Sequence, residues 1–178
     1  MLIMIFKVIF FLGIYVYLLS CCRAMRSVKS DRRNHNPQKT KDMKYDIQPR
    51  KGLGDLAFGM PVEEIVRLIG NASEVESIEN AADEPTTVLH YEEGMTIFCE
   101  GENPTLTCID ITNEDCTLFG KQIFDMNERE IVRLMVDNQY FEQDADNEDW
   151  GERRIGFPEG NIDFFFEDDE LMSVIIGK

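Results

Sequence analysis

The chain has 178 residues, enough for one globular domain of ordinary size with a tail, and this length excludes a second large catalytic domain. Its 34 acidic and 18 basic residues give a formal net charge of −16, but residues 23–51 carry +7 and residues 52–178 carry −24. A domain this acidic repels phosphate backbones, so nucleic acid is not expected as a partner, whereas a basic protein partner or simple solubility fits the charge.

An apolar segment opens the chain. Residues 1–22 are almost entirely apolar, and the run 8–22 has the length of a signal-peptide core but is short for a membrane span. The segment is predicted to be a signal peptide or membrane anchor, and it is the only membrane contact expected. Its end, Leu18-Leu19-Ser20-Cys21, resembles a bacterial lipobox. That resemblance implies lipidation of Cys21 and a location in the cell envelope.

Two other interpretations of this segment stay open. Five basic residues follow it and one precedes it, a charge pattern that favours a signal anchor with the domain on the cytoplasmic side. Translation could instead start at Met43, which would leave a cytoplasmic domain. In either case residues 23–51 are predicted to be a basic, disordered linker, because residues 23–42 are polar and nearly free of aliphatic side chains.

The next feature is an internal repeat. The pentapeptide Glu-Ile-Val-Arg-Leu occurs at residues 64–68 and again at residues 130–134, and weaker matches follow each copy at a similar spacing. The repeat predicts two units, residues 52–119 and residues 120–178.

Each copy of the pentapeptide is predicted to lie in an amphipathic helix. Pro61 stands at a helix start, where its missing N–H costs nothing, and Gly70 ends the first helix. Asn127 and Glu130 have the spacing of a capping box at the start of the second. Apolar residues follow at helical spacing, so the helix has one apolar face that packs against a core.

After each helix the sequence predicts an acidic loop and then three strands. The predicted strands are residues 88–91, 95–99 and 106–111 in the first unit and 154–157, 162–167 and 171–176 in the second. Tight turns between them favour antiparallel pairing. The predicted fold class is therefore α+β, with two tandem helix-plus-antiparallel-sheet repeats and the helices packed on one face of the sheet.

The segment Phe58-Gly59-Met60-Pro61, followed by Val62 and by Leu68-Ile69-Gly70, carries a family resemblance. It resembles the opening shared by the BamE/SmpA small outer-membrane lipoproteins and the secreted β-lactamase inhibitory protein (BLIP). The resemblance implies a BLIP-like tandem of helix-plus-sheet units. Pro61 departs from the usual Thr or Ser cap, and no inhibitory residues can be transferred, because the inhibitor's contact loops do not align.

Catalytic and metal-binding constellations are not found in the sequence. The two histidines, His35 and His90, have no nucleophile signature around them. The run Asp144-x-Asp146-x-Glu148 is similar to the start of a calcium loop, but Asp149 stands at the sixth position, where the loop needs Gly, and no Glu stands at the twelfth. Cys99, Cys108 and Cys116 lack the spacing of a zinc site, and their pairing stays open. We expect no enzyme, no cofactor and no metal.

Carboxylates are concentrated in the loops, where they either keep the domain soluble or surround an aromatic anchor for a basic protein partner. The predicted partner-binding residues are Trp150, Tyr140, Phe141, Asp144, Asp146 and Glu148. The sequence thus favours a non-enzymatic protein-binding module of inhibitor or immunity type. The alternative is a BamE-like envelope lipoprotein with a scaffolding role.

Overall fold

Strands dominate the parts of the chain that the computed structural model describes, which are residues 44–78, 84–147 and 153–178. Two helices are present there, α1 (Val62–Ile69) and α2 (Glu128–Asp137). The strands are β1 (Asp46–Gln48), β2 (Gly52–Leu53), β3 (Leu56–Ala57), β4 (Glu74–Ile78), β5 (Thr86–Tyr91), β6 (Met95–Glu100), β7 (Thr105–Ile111), β8 (Thr117–Leu118), β9 (Lys121–Gln122), β10 (Asp144–Asn147), β11 (Arg153–Phe157), β12 (Ile162–Glu167) and β13 (Glu170–Gly177).

Eight of these strands form one antiparallel sheet. Its order is β10-β11-β12-β13-β7-β6-β5-β4, so β10 and β4 are the two edges. The centre is the pairing of β13 with β7, where Val174 lies opposite Ile111 and Ile176 opposite Ile109. The five short strands form a second sheet, β3-β2-β1-β8-β9, in which β1 and β8 are parallel.

The predicted fold class was wrong. The described residues are mostly β-sheet with only two short helices, and they do not form an α+β tandem of helix-plus-sheet repeats. The strands predicted for residues 52–119 and 120–178 do not make two separate sheets. In two separate sheets, β7 and β13 would each be an edge strand with a long row of unpaired backbone groups. These two strands instead pair with one another, which joins eight strands into one sheet.

The core lies on one face of the large sheet. Strand residues alternate between faces, so Leu89, Ile97, Ile109 and Phe164 point to the same side and are fully or almost fully buried. The helices and the short strands pack on this side, through residues such as Ile65. Burial of these side chains at about 25 cal/mol per Å² of apolar surface is the main stabilising term.

The opposite face of the large sheet carries a second set of side chains. Val88, Phe98 and Phe165 are 0%, 1% and 5% exposed and lie outside the main core cluster. His90 and Asp110 on the same face are also buried. The large sheet therefore has buried side chains on both of its faces.

Both helices start where the sequence predicts. Pro61 is the N-cap of α1 and makes no side-chain cap, whereas Asn127 and Glu130 form the predicted capping box of α2. In that box Asn127 Oδ1 accepts from the Glu130 N–H at 3.1 Å, and Glu130 Oε2 accepts from the Asn127 N–H at 3.0 Å. Gly70 caps α1 with φ of 97°, a left-handed value that favours glycine.

The six predicted strands are present as β5, β6, β7, β11, β12 and β13. Two of the segments predicted to be acidic loops contain strands instead, namely β4 and β10, the edges of the large sheet. An edge strand is partly solvated and can carry carboxylates at little cost, so its sequence does not alternate as a core strand does.

Candidate functional site

Three of the six residues assigned from the sequence to a partner-binding surface lie together at one edge of the large sheet, namely Phe141, Asp144 and Asp146. Within the part of the chain that the structure describes, β10 pairs with β11 on one side and with no strand on the other, and all four of its residues are exposed. We define the β10 edge as Phe141, Glu142, Asp144, Asp146 and Glu159. All five of these residues are exposed.

The guanidinium of Arg154 forms ion pairs with two carboxylates of the β10 edge and with a third carboxylate on β12. Arg154 Nη1 lies 3.0 Å from Asp146 Oδ2 and 3.4 Å from Asp144 Oδ2, and Nη2 lies 2.9 Å from Asp163 Oδ1. Three carboxylates around one guanidinium leave a formal local charge of −2. The Asp144 and Asp146 side chains stay 58% and 62% exposed, so this excess charge faces solvent.

The inner part of this cluster is desolvated. Burial raises the pKa of Asp163 above its ordinary value, although the Arg154 guanidinium opposes the shift by stabilising the carboxylate. Burial lowers the pKa of Arg154, but the charges of Asp163 and Asp144 raise it by more, so Arg154 stays cationic. A Cβ at position 156 would lie 2.5 Å from Asp163 Oδ1, so Gly156 leaves the room that the ion pair occupies.

A second arginine ties the edge to a helix. Arg153 Nε and Nη2 donate to the two carboxylate oxygens of Glu128, at 2.6 and 3.1 Å, in a two-point geometry that only a guanidinium provides. Its Nη1 donates to Asn147 Oδ1 at 2.9 Å. Since Glu128 is the first residue of α2, Arg153 connects that helix to both β11 and β10. The Glu128 hydrogen bond raises the pKa of Arg153.

Tyr140 and Phe141 point in opposite directions. The Tyr140 ring stacks on Phe119 at a centroid distance of 5.8 Å and packs against Gly160, where an added Cβ would lie 3.1 Å from the ring. Phe141 is 65% exposed. The carboxylate of Glu159 accepts the backbone N–H of Phe141 at 2.7 Å, so the exposed ring is attached to a fixed stretch of backbone.

The structure thus brings together Tyr140, Phe141, Asp144 and Asp146, with Tyr140 serving as a support rather than as a surface residue. Glu148, Trp150 and Cys21 lie outside the described residues. Sequence reasoning missed Arg154, Asp163 and Glu159. The signal available for Arg154 was its place in a strand next to an acidic segment, but the pairing of Asp146 with Arg154 depends on a register that the sequence does not specify.

Asp144 and Asp146 lie in a strand rather than in a calcium loop. Among residues 44–78, 84–147 and 153–178, no group of three or more His, Cys, Asp or Glu side chains is placed to hold a metal ion. Within the same ranges, no helix is both long enough and apolar enough to span a bilayer.

His90 and the cysteines lie away from the β10 edge. His90 is buried on β5, with Nδ1 3.3 Å from Thr96 Oγ1 and Nε2 3.9 Å from Glu76 Oε1. Cys99, Cys108 and Cys116 are free thiols. Burial raises the pKa of Cys99 and of Cys116 to about 12 and raises the pKa of Cys108 as well, so these thiols stay protonated at neutral pH.

Comparison with protein-family models found no match, and comparison with curated proteins found none. One solved structure similar to this chain is that of an extracellular protein containing a SCP domain from Bacillus anthracis str. Ames, with 12% identity and a TM-score of 0.40. The match covers 83% of this chain and 49% of that one, so the chain spans about half the length of that structure.

Proposed function

We propose that this chain is a non-enzymatic protein-binding module of inhibitor or immunity type, which engages a basic protein through the β10 edge. The observation that carries the proposal is an exposed aromatic ring on a fixed backbone, Phe141, beside the solvent-facing carboxylates of Asp144 and Asp146. Interface hot spots typically combine an apolar anchor with a surround of polar groups.

The charge of the domain supports a basic partner. Residues 52–178 carry a formal charge of −24, and only seven Lys or Arg residues are spread over that stretch. A field of this sign accelerates encounter with a cationic surface and repels anionic ones, with a strength that falls as salt screens it. Nucleic acid is therefore not part of the proposal.

Preorganisation also favours binding at this site. Arg154 and Arg153 hold the strand, and Glu159 holds the segment that precedes it. A surface that is already ordered loses less conformational entropy when a partner binds. The β10 edge therefore offers an apolar anchor and two carboxylates in fixed relative positions.

Affinity capture from the source cells tests this function. Full-length protein is compared with a Phe141→Ala/Asp144→Asn/Asp146→Asn variant and with a matched control, Val75→Ala/Glu92→Gln/Glu102→Gln, which removes one exposed apolar side chain and two exposed carboxylates elsewhere. We expect a protein that is retained at low salt by the wild type and the control, is lost with the β10-edge variant, and is released at high salt. Equal recovery with all three baits would disprove the proposal.

A scaffolding lipoprotein of the cell envelope is the second candidate, and one observation favours it. The segment Leu18-Leu19-Ser20-Cys21 is similar to a lipobox, which makes Cys21 the acylated residue. Radiolabelled palmitate should be incorporated into the wild-type chain and lost with Cys21→Ala. Incorporation that survives this substitution rules the candidate out.

A further inference from the structure

We propose that β10 receives an extended, basic segment of the partner as a ninth strand of the large sheet. This inference rests on the proposed function and specifies the chemistry of the partner. Among residues 44–78, 84–147 and 153–178, β10 pairs only with β11, and all four residues of β10 are exposed, so its outer side is accessible to another strand. An extended peptide that pairs there gains main-chain hydrogen bonds, which is how exposed sheet edges bind peptides in general.

The side chains of β10 define which peptide fits. Asp144 and Asp146 lie on one face of the strand, two residues apart, a separation of about 6.8 Å at a rise of about 3.4 Å per residue. An added strand has the same repeat, so Lys or Arg at alternate positions places one cation beside each carboxylate. Opposite charges directly across neighbouring strands stabilise the pairing of those strands. The predicted motif is basic-x-basic in an extended segment.

Phe141 adds an apolar position to this motif. The ring precedes Asp144 by three residues and is 65% exposed, while the adjoining backbone is held by Glu159. A segment that continues past Asp144 meets this ring, so an apolar residue beyond the basic pair is favoured there. The rest of β10 contributes Ala145 and Asn147, which are small enough to let a neighbouring strand approach.

A second copy of the chain is a poor occupant of the same edge. Pairing β10 with another β10 would bring two sets of aspartates together, and pairing it with the opposite edge, β4, would bring them to Glu74 and Glu76. Like charges directly opposite one another are destabilising in a sheet. Both edges therefore resist self-association and leave β10 to a cationic segment.

Fluorescence anisotropy with a labelled peptide tests the inference. The peptide has eight residues, with lysine at alternate positions and threonine and valine between them, and it is titrated with full-length protein at low salt. We expect binding that weakens at least tenfold in Asp144→Asn/Asp146→Asn and is unchanged in Glu92→Gln/Glu102→Gln. A version with N-methyl groups along one side of the backbone should also bind at least tenfold more weakly, because it cannot donate to the ladder. The version methylated on the other side should bind as before.

Hydrogen exchange then distinguishes strand addition from simple charge pairing. On adding the peptide, amides of β10 should exchange more slowly, while those of β4 should not change. If neither methylated peptide loses affinity, or if the β10 amides keep their rates, the ninth-strand inference is wrong. In that case the proposed function still stands, provided capture of the partner depends on Phe141, Asp144 and Asp146. Failure of the unmodified peptide to bind also overturns the inference.

Discussion

Arg154 shows how a few residues determine whether the β10 edge exists. Its guanidinium is the positive charge that lies among Asp144, Asp146 and Asp163, and the most buried of these, Asp163, has a side chain only 16% exposed. Removing one partner from a buried ion pair is far more damaging than replacing both, because it leaves an uncompensated charge. Gly156 makes room for the ion pair of Arg154 and Asp163, because a side chain at this position would clash with both.

Replacing Arg154 by methionine should lower the free energy of unfolding by about 1–3 kcal/mol at pH 7, because the largely desolvated Asp163 carboxylate loses its counter-charge. Without its partner, Asp163 would favour the protonated form even more strongly, so the loss should shrink as the pH falls toward 5. The double variant Arg154→Met/Asp163→Leu should recover much of the loss. Urea unfolding of the three proteins at both pH values measures this. A deficit that is the same at both pH values would contradict the account.

The buried thiols make a second prediction at the residue scale. The pKa of Cys99 is about 12 in the folded protein against an ordinary value of 9.0, so the folded state holds the proton more tightly. The stability contributed by this thiol is complete below pH 9 and is lost as the pH rises toward 12, by up to about 1.4 kcal/mol per pH unit. Unfolding free energies from pH 8 to 11 should fall less steeply in Cys99→Val than in the wild type. Parallel curves would refute this.

At the scale of elements, the two helices contrast in how they begin. In α2 the capping box satisfies two backbone N–H groups, whereas α1 begins at Pro61, which has no N–H to satisfy and no side chain that can accept one. Helix α2 also carries Glu128, which binds Arg153 and so connects the helix start to the β10 edge. Disturbing the cap should therefore affect the site as well as the helix.

Asn127→Ala should destabilise the fold by about 1 kcal/mol, because the Glu130 N–H loses its acceptor. Asn127→Asp keeps an acceptor at the same position and should leave stability within a few tenths of a kcal/mol. Thermal unfolding followed by circular dichroism distinguishes the two. Equal effects of the two substitutions would show that the cap is not what stabilises this end of α2.

The elements differ in how well the sequence predicts them. The sequence predicts strands β12 and β13 because alternate residues, such as Ile162, Phe164 and Val174, are apolar and point into the core. Strand β10, Asp-Ala-Asp-Asn, has no apolar alternation and looks like a loop, although it forms the candidate site. It is a strand because β11 offers it hydrogen bonds and Arg154 offers it a counter-charge. Both are tertiary effects, which local sequence patterns do not contain.

At the scale of the described domain, the central feature is one large sheet in place of two. The sequence repeat correctly located the helices and the inner strands, but it could not predict that β7 and β13 would pair with one another. The hydrophobic core is accordingly continuous, with Ile97 and Phe164 in the same cluster although they lie 67 residues apart. A continuous core predicts that the two halves of the domain, residues 52–119 and residues 120–178, unfold together.

A cavity in the second half should therefore loosen the first half. Phe164→Ala removes a fully buried ring and should cost about 3–5 kcal/mol. Native-state hydrogen exchange should show the amides of β5 and β6 speeding up as much as those of β11 and β12, because all exchange through the same global opening. Faster exchange confined to β11 and β12 would mean that the halves are independent units.

The central claim is that the carboxylates of the β10 edge contact the cations of a protein partner. Zero-length carbodiimide cross-linking tests it most directly, since this reagent joins a carboxylate to a lysine only when the two are in contact. After cross-linking of the captured complex and mass spectrometry, the account predicts links from Asp144 or Asp146 to partner lysines, and their loss at high salt. Links confined to Glu74, Glu76 and other carboxylates away from the β10 edge would contradict it.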